Sequence, residues 1–513
     1  MAFRKEPFTG VRWNHYLMSK KSTQTSATLI TLLAQSAPSP GRLYANLYRA
    51  MRQTILDGHL PSGSRLPSTR TLASDLDLSR NTVESAYAQL EAEGFTERRV
   101  GSGTYVRPTA ILAKDSFRDA RAPRRVLDPK EVFSRRGNMI RLTGGCFEPS
   151  VIRPFSGGMP ALDAFPIELW QRLCSRRLRS LRGDALGYAK PQGEEKLRTA
   201  IAQYVATARG VKCTKDQVLI LTSSQQGLEL CARLLTDPGD SVWLENPGYL
   251  GARNAFVAAG AKIVPVPVDT DGLQVSVGIK RGPKARLAYV TPSHQYPTGV
   301  TLTLERRTKL LEWAALAKAW IIEDDYDSEF RYSGHPIAAI HGLGSEERVI
   351  YIGTFSKVMF PGLRIAYIIL PPSLIDSFVV ARTVLDGHTP AFFQSVLADF
   401  MDDGHFAAHV RRMRVLYRAR RDFLLELAQE SLFKWLAFGS SNGGLQIVAY
   451  AKSAIADEHL SNKAMRLGLD LPPLSKLYVS GTPRQGWILG FAALTPERIS
   501  SGSYLFSKVL RGR

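Results

Sequence analysis

A lysine stands beside small hydroxyl residues at the point where a predicted strand ends. Thr354, Ser356 and Lys357 follow the β-rich run 348–352, and Arg364 comes seven positions after the lysine. A lone lysine is usually a surface charge. This grouping suits a phosphorylated aldehyde, because the amine forms a Schiff base while hydroxyls and a guanidinium hold the phosphate. The segment therefore predicts a covalent site for such a cofactor.

A cluster of carboxylates and a phenol ends a second predicted strand. The buried run 320–322 leads into residues 323–327, which include Asp324, Asp325 and Tyr326. A carboxylate against a pyridine nitrogen keeps that ring protonated and so stabilises electron withdrawal. The residues alone leave two other interpretations open, a metal site and a cluster at a helix N-terminus.

Two further segments suit the binding of a flat, phosphorylated ring. Residues 219–227 read as a strand, a polar turn and a helix start, which is an anion-binding geometry; Ser224 and Gln225 lie in that turn. The segment 245–249 ends in Tyr249, an aromatic side chain able to stack on a ring. Each signal is weak alone, but their joint order over about 140 residues is specific.

In this order the segments resemble the fold-type I aminotransferases, which use pyridoxal 5'-phosphate. The matching motifs, over roughly residues 155–500, are Leu186-Gly-Tyr188, Gly193, Ser223-Ser224-Gln225, Asn246-Pro-Gly-Tyr249, Pro297-Thr-Gly299, Asp324-x-Tyr326, Ser356-Lys357 and Arg364. The resemblance implies a Schiff base between Lys357 and the cofactor. It implies that Asp324 pairs with the pyridine nitrogen, Tyr326 binds the ring oxygen and Tyr249 stacks. The residues it implies near the phosphate are Ser224, Gln225, Thr354, Ser356 and Arg364.

Three features bear on these roles. Asp325 competes with Asp324 for the pyridine nitrogen. We prefer Asp324 because the Asp-x-Tyr motif places the aspartate two positions before the tyrosine. Tyr296 replaces the asparagine that aminotransferases usually have before Pro-Thr-Gly, so its side chain lacks the amide that would bond to the ring oxygen. The segment 486–491 has no arginine where many aminotransferases clamp a substrate carboxylate. Arg253 and Arg484 are the possible substitutes.

The N-terminal part of the chain reads as three short helices and a β-hairpin. Ser68 and Ser79 are placed to cap the second and third helices. The exposed start of the third helix carries Arg80, Asn81 and Thr82. A helix in the major groove presents its first residues to base edges, and its free N–H groups favour phosphate.

This block resembles the winged helix-turn-helix of the GntR family of bacterial regulators over residues 43–106. The matching runs are Gly63-Ser-Arg65-Leu-Pro67-Ser68 through Arg70, Leu78-Ser79-Arg80-Asn81-Thr82-Val83, and Gly94-Phe95 through Gly101-Ser-Gly103-Thr104. The resemblance implies that Arg65, Arg70, Arg80 and Thr82 contact DNA, with Asn81 beside them. It also implies that Gly103 brings the wing tip close to the minor groove. Arg80 is the best candidate for reading guanine through two parallel hydrogen bonds.

Composition gives the broad class and the organisation. Lys and Arg number 67 against 46 Asp and Glu, a net charge of +21 that favours a polyanionic partner. The four cysteines have no C-x-x-C spacing, so no metal site is predicted, and no apolar run is long enough for a membrane span. Together with the resemblance to bacterial regulators, this implies a cytoplasmic, nucleoid-associated bacterial protein. Its predicted parts are a basic arm (1–40), a winged helix-turn-helix of α+β class (41–107), a mostly extended basic linker (108–141) and an α/β domain with a mainly parallel sheet (142–513).

The two halves together resemble the MocR/GabR regulators, which implies a head-to-tail homodimer that binds operator DNA. We hypothesise that a small amine or amino-acid-like effector, or pyridoxal phosphate itself, acts at Lys357 and changes operator binding. Two alternatives stay open. One is a functional pyridoxal-phosphate-dependent aminotransferase with an attached DNA-binding domain, and the other is a DNA-binding protein whose large domain is only a dimerisation scaffold.

Overall fold

The computed structural model describes residues 43–108, 132–146, 151–334, 338–344, 347–453 and 455–512. The chain divides into two compact units, Met1–Asp128 and Pro129–Arg513. The predicted arm over 1–40 and most of the predicted linker lie outside the described residues. Among the described helices, none has the length and apolar character needed to cross a bilayer.

The first unit is built from three helices and a two-stranded hairpin. Its elements are α1 (Leu43–Leu56), α2 (Thr69–Asp75), α3 (Arg80–Ala92), β1 (Thr96–Arg99) and β2 (Gly103–Val106). Both predicted caps form: Ser68 Oγ accepts the backbone N–H of Thr71 and Ser79 Oγ accepts that of Thr82, each at 3.1 Å. The Tyr87 hydroxyl donates to the Pro67 carbonyl (2.8 Å) and so ties α3 to the segment before α2.

The last part of the predicted linker is helical. Residues Arg135–Leu142 form a helix, α4, with Ser134 as its cap, so the expectation of a mostly extended linker is wrong over these residues. The helix contains no buried residue, which explains why its sequence lacks an apolar stripe. Beyond α4, the Asn254 side chain donates to the Gly145 carbonyl (2.9 Å), so tertiary contacts hold the end of this segment.

The second unit is organised around an eight-stranded, mostly parallel sheet. Its strands are β3 (Val218–Leu221), β4 (Ser241–Asn246), β5 (Lys262–Asp269), β6 (Gly272–Leu273), β7 (Leu287–Val290), β8 (Trp320–Asp325), β9 (Val349–Thr354) and β10 (Ala366–Ile369). The spatial order is β3-β10-β9-β8-β7-β4-β5-β6. Pairing from β9 through β5 is parallel, and β10 is antiparallel to both neighbours. The predicted mainly parallel α/β sheet is confirmed.

Helices and a small second sheet complete this unit. The helices are α5 (Ile167–Arg179), α6 (Glu195–Arg209), α7 (Ser224–Leu235), α8 (Leu250–Ala259), α9 (Val275–Arg281), α10 (Leu304–Ala317), α11 (Ile375–Leu385), α12 (Ala391–Asp402), α13 (His405–Ser431), α14 (Asp457–Arg466) and α15 (Pro496–Arg511). The second sheet is antiparallel, in the order β11 (Leu436–Phe438), β12 (Gln446–Ala451) and β13 (Gly486–Gly490).

Both faces of the large sheet are covered by apolar side chains. Along β3, Leu219 and Leu221 belong to one apolar cluster while Val218 and Ile220 belong to another. Successive residues of a strand point to opposite faces, so this division shows a core on each side. Strands buried on both faces read as continuous apolar runs, as this strand does in the sequence.

Candidate functional site

The sheet topology brings the predicted segments to one edge. Strands β3, β4, β7, β8 and β9 run in the same direction, so their carboxyl ends meet at that edge. Ala366, the first residue of β10, pairs with both Leu221 and Thr354. The turn after β3 and the turn that carries the lysine are therefore close neighbours.

Lys357 lies in the turn after β9. The backbone N–H of Ser356 donates to Thr354 Oγ1 (3.2 Å), and Phe355 is buried and anchors the turn. Gly158 passes so near the lysine that a Cβ there would lie 3.1 Å from Nζ. Our sequence interpretation missed this close approach, for which the pair of glycines at 157 and 158 was the available signal.

One carboxyl oxygen of Asp324 is hydrogen-bonded and the other is not. The Tyr289 hydroxyl donates to its Oδ2 (2.9 Å), while its Oδ1 is buried and has no hydrogen-bond partner among the described residues. Burial raises the pKa of this carboxyl to about 7, and the ammonium of Lys357 opposes that rise. A protonated pyridine nitrogen is a donor that would satisfy Oδ1.

Asp325 is already engaged elsewhere. Its carboxylate lies 2.9 Å from Arg209 Nε and accepts a hydrogen bond from the Tyr351 hydroxyl (2.5 Å). Adjacent residues of a strand face opposite ways, so Asp324 and Asp325 cannot both serve the same site. This arrangement favours Asp324 over its competitor for the ring nitrogen.

The buried Asp324 carboxyl predicts a pH dependence of stability in the protein without cofactor. Its folded-state pKa, about 7, exceeds the ordinary value of 3.8, so its contribution is complete below pH 4 and is lost as pH rises through 7. The loss amounts to at most about 4 kcal/mol. Urea unfolding of the large unit between pH 4 and 8 should show a steeper decline for the wild type than for Asp324→Asn. Parallel curves for the two proteins would contradict this assignment.

The predicted phosphate-binding residues lie around the start of α7 and the two neighbouring turns. Ser224 is the first residue of α7, whose cap Ser223 accepts the backbone N–H of Gln226 (3.2 Å). Gln225 donates to the Gly251 carbonyl (3.0 Å), and its Oε1 is buried without a hydrogen-bond partner among the described residues. Arg364 is exposed, with a left-handed φ of +52° just before β10.

Three tyrosine rings line one side of this edge. The rings of Tyr249 and Tyr296 are 5.7 Å apart at 83°, and those of Tyr296 and Tyr326 are 6.2 Å apart at 80°. Tyr296, which replaces the expected asparagine, thus lies between the residue expected to stack and the residue expected to bond the ring oxygen. The thiol of Cys146 lies 3.9 Å from the Tyr249 hydroxyl.

The two candidate carboxylate-binding arginines lie on different elements. Arg253 is on the first turn of α8, where its backbone N–H donates to the Tyr249 carbonyl (3.2 Å), and burial lowers the pKa of its side chain. Arg484 stacks on the Tyr450 ring at 3.7 Å. Tyr450 and Tyr296 pack against the same apolar cluster. Within the described residues neither arginine forms an ion pair, so both guanidinium groups retain unused donors.

The first unit presents its predicted DNA-binding residues on the surface. Arg65, Arg70, Arg80 and Asn81 are exposed, whereas the Thr82 hydroxyl is 2.8 Å from Ser79 Oγ and serves the helix cap. Arg65 forms a β-bridge with Tyr105 and so extends the wing. Gly103, with φ of +113°, leaves room for Arg65, because a Cβ there would lie 2.8 Å from Arg65 Nε. That local purpose of Gly103 was not foreseen.

Comparison with known proteins gives independent findings for each part. Residues 43–106 match the model of the bacterial regulatory proteins of the gntR family, and residues 164–471 match that of aminotransferase class I and II. The chain is 42% identical to the probable rhizopine catabolism regulatory protein MocR of Rhizobium meliloti, over 90% of this chain and 92% of that one. It is 29% identical to the pyridoxine biosynthesis transcriptional regulator PdxR of Corynebacterium glutamicum, over 90% of this chain and 94% of that one.

The fold of the second unit is similar to that of a solved aminotransferase structure. The chain is similar to LysN, an α-aminoadipate aminotransferase from Thermus thermophilus solved with N-(5'-phosphopyridoxyl)-L-leucine. The TM-score is 0.68 at 28% identity, over 75% of this chain and 99% of that one. A domain of this class implies pyridoxal phosphate as its cofactor.

Proposed function

This chain belongs to the MocR/GabR family of transcription regulators, with a GntR winged helix and an aminotransferase-like domain, and we propose that its second unit senses a small amine or amino-acid-like effector. Binding of that effector, or of pyridoxal phosphate itself, would change the affinity of the winged helix for operator DNA. This proposal places the protein on the bacterial nucleoid, in the cytoplasm.

The unpartnered Oδ1 of Asp324 is the observation that carries the proposal. This buried acceptor is close enough to Lys357 for the ammonium to lower its pKa, and it lies on β8, beside β9, which leads into the predicted phosphate-binding turn of Thr354 and Ser356. An acceptor left unsatisfied in a buried site costs free energy of about 1–3 kcal/mol, which a ring N–H of the cofactor would recover.

The residues at the edge of the sheet have distinct roles in this proposal. When bound, pyridoxal phosphate supplies an aldehyde that reacts reversibly with amines. Lys357 would hold that aldehyde, Asp324 the ring nitrogen, Tyr326 the ring oxygen and Tyr249 the ring face. The phosphate would contact the start of α7 and the turns before β10, through Ser224, Gln225, Thr354, Ser356 and Arg364.

An effector that carries a carboxylate has two candidate partners. Arg253 lies one turn of α8 beyond Tyr249, and Arg484 lies over Tyr450, which packs with Tyr296 in one cluster. An arginine fork suits a carboxylate because it can donate two parallel hydrogen bonds. Titration of candidate amines, with and without a carboxylate, while following cofactor absorbance and operator affinity together, tests whether one molecule changes both.

A second candidate function is favoured by the likeness to LysN. The protein would then be an aminotransferase that also binds DNA. Multiple-turnover transfer of an amino group, measured as keto acid formed per protein molecule, would support this function, whereas a single stoichiometric reaction would support sensing alone.

We also propose that the protein is a head-to-tail homodimer. Tyr188 and Leu186 are exposed by 100% and 76%, and Val380 and Val384 of α11 by 62% and 80%. Large apolar side chains so exposed on one domain indicate a surface that another chain covers. Sedimentation at the mass of one chain at micromolar concentration would contradict the dimer.

The wing offers a test of DNA binding with a matched control. Gly103→Ala should displace the Arg65 side chain and weaken operator binding about tenfold, because the new Cβ would meet Arg65 Nε at 2.8 Å. Gly101→Ala strains the backbone similarly, at φ of +74°, but has no atom within 4 Å of the new Cβ. Fluorescence anisotropy with labelled operator compares the two. Equal affinities for the two variants would show that Arg65 does not depend on Gly103.

A further inference from the structure

A buried histidine and a buried aspartate lie behind Tyr326. His294 Nδ1 is 3.1 Å from Asp327 Oδ2 and 3.1 Å from the Tyr326 hydroxyl oxygen. Only 7% of His294 and 1% of Asp327 are exposed. The function proposed above does not use either residue, and our sequence interpretation did not single them out.

The carboxylate fixes which way the hydrogen bonds run. Asp327, when ionised, can only accept, so His294 Nδ1 must carry a hydrogen and donate it. The Tyr326 oxygen, at the same distance from Nδ1, then accepts from that N–H. Its own hydroxyl hydrogen is left to point away from His294. Burial and the charge of Asp327 raise the pKa of Tyr326 well above its ordinary value, so the hydrogen stays on.

Glycines hold the histidine ring in this orientation. A Cβ on Gly299 would lie 3.0 Å from His294 Nε2, and one on Gly444 would lie 2.1 Å from its Cε1 and 2.8 Å from Asp327 Oδ2. Both glycines have positive φ, at which a larger residue would also be strained. His294 lines a small cavity, and its buried Nε2 has no hydrogen-bond partner among the described residues.

We propose that His294 and Asp327 are a positioning pair, which aims the Tyr326 hydroxyl hydrogen at the ring oxygen of bound cofactor. The inference rests on the proposed function, in which Tyr326 bonds that oxygen. Tyr296 stands where an asparagine amide would otherwise donate, so the direction of the Tyr326 hydroxyl has more influence here. The proposal assigns both residues a role in tuning the cofactor rather than in touching it.

Other titratable groups face Tyr326 or line the cavity next to His294. Asp324 and Glu245 face Tyr326 from β8 and β4, and Tyr296 faces it from the loop after β7. Arg209 and Arg331 line the cavity next to His294. Arg209 is paired with Asp325, which leaves Asp327 as the carboxylate that contacts His294.

The test is the pH at which the absorption spectrum of bound cofactor changes. In bound cofactor the ring oxygen would accept a hydrogen bond from the protonated nitrogen that links it to Lys357. A second donor, the Tyr326 hydroxyl, would compete for that oxygen and so lower the pH at which the nitrogen loses its proton and the spectrum changes. In Asp327→Asn no anion holds the hydrogen on Nδ1, so His294 can adopt the other tautomer, in which Nδ1 accepts from the Tyr326 hydroxyl and turns its hydrogen away from the cofactor. We expect the midpoint to rise by about one pH unit or more. Tyr326→Phe should shift it in the same direction, and the double variant no further.

Variants of His294 separate positioning from packing. His294→Leu should reproduce the rise, whereas His294→Asn, which keeps an N–H donor near the Nδ1 position, should give less than half of it.

Ser328→Ala is the control, because this serine lines the same cavity without a hydrogen bond to the pair. Circular dichroism verifies folding, and His294→Leu serves if Asp327→Asn does not fold. A colourless wild type would overturn the proposed function. A coloured wild type whose midpoint is unmoved in Asp327→Asn and in His294→Leu would overturn the positioning pair alone.

Discussion

Lys357→Ala is expected to yield a protein without covalently bound cofactor. The variant should lack the visible absorption band, and borohydride treatment should add no cofactor mass to it. The physical reason is that the amine within reach of Gly158 and Asp324 is the nucleophile, and alanine removes it. The variant should also lose the effector response, which for allosteric proteins is typically about 5–150-fold in affinity.

A surface lysine provides the control for this variant. Lys309 lies on α10 in an exposed ion pair with Glu305, and such a pair contributes little to stability. Lys309→Ala should therefore keep both the absorption band and the response. Operator binding without effector should survive in both variants, since the winged helix folds around its own apolar core. A wild type that stays colourless with added cofactor, yet answers its effector normally, would contradict the role of Lys357.

Local signals explain what could be predicted from the sequence. The caps at Ser68 and Ser79 were predictable because a hydroxyl before an apolar helical pattern satisfies a free backbone N–H. The strand endings at Asp325 and Thr354 were predictable because runs buried on both faces stop where polar residues begin. Once strands run parallel, their carboxyl ends share an edge, so the place of the candidate site follows from topology.

Contacts between distant segments explain what could not be predicted. Tyr289 reaches Asp324 because β7 and β8 pair in parallel with Tyr289 opposite Ile322, a register that no local pattern encodes. The contact of His294 with Asp327 likewise joins the loops after β7 and β8. The linker helix α4 was missed for a different reason. This helix buries no side chain, so its sequence lacks the apolar periodicity by which a helix is predicted.

Arg80→Ala is expected to relax sequence specificity at one base position of the operator. A bidentate arginine–guanine contact contributes about 1–3 kcal/mol of discrimination, so the preference for the correct base should fall by about 5- to 150-fold. The structure supports this residue because Ser79 caps α3 directly before it and leaves Arg80 on the exposed first turn. Competition binding with operators altered one base pair at a time measures the change.

Two other charged residues of the first unit serve as controls. Glu84 lies 2.9 Å from Arg80 Nε in an exposed pair, which contributes only about 0.3–0.5 kcal/mol and does not keep the arginine from DNA. Glu84→Ala should thus leave the base preference unchanged. Arg98→Ala, on the wing, should weaken binding to all sequences alike and reduce the salt dependence by about one phosphate contact. If Arg80→Ala instead weakened every sequence equally, Arg80 would be a phosphate contact, and base reading would have to come from another residue of the same turn, with Asn81 the exposed alternative.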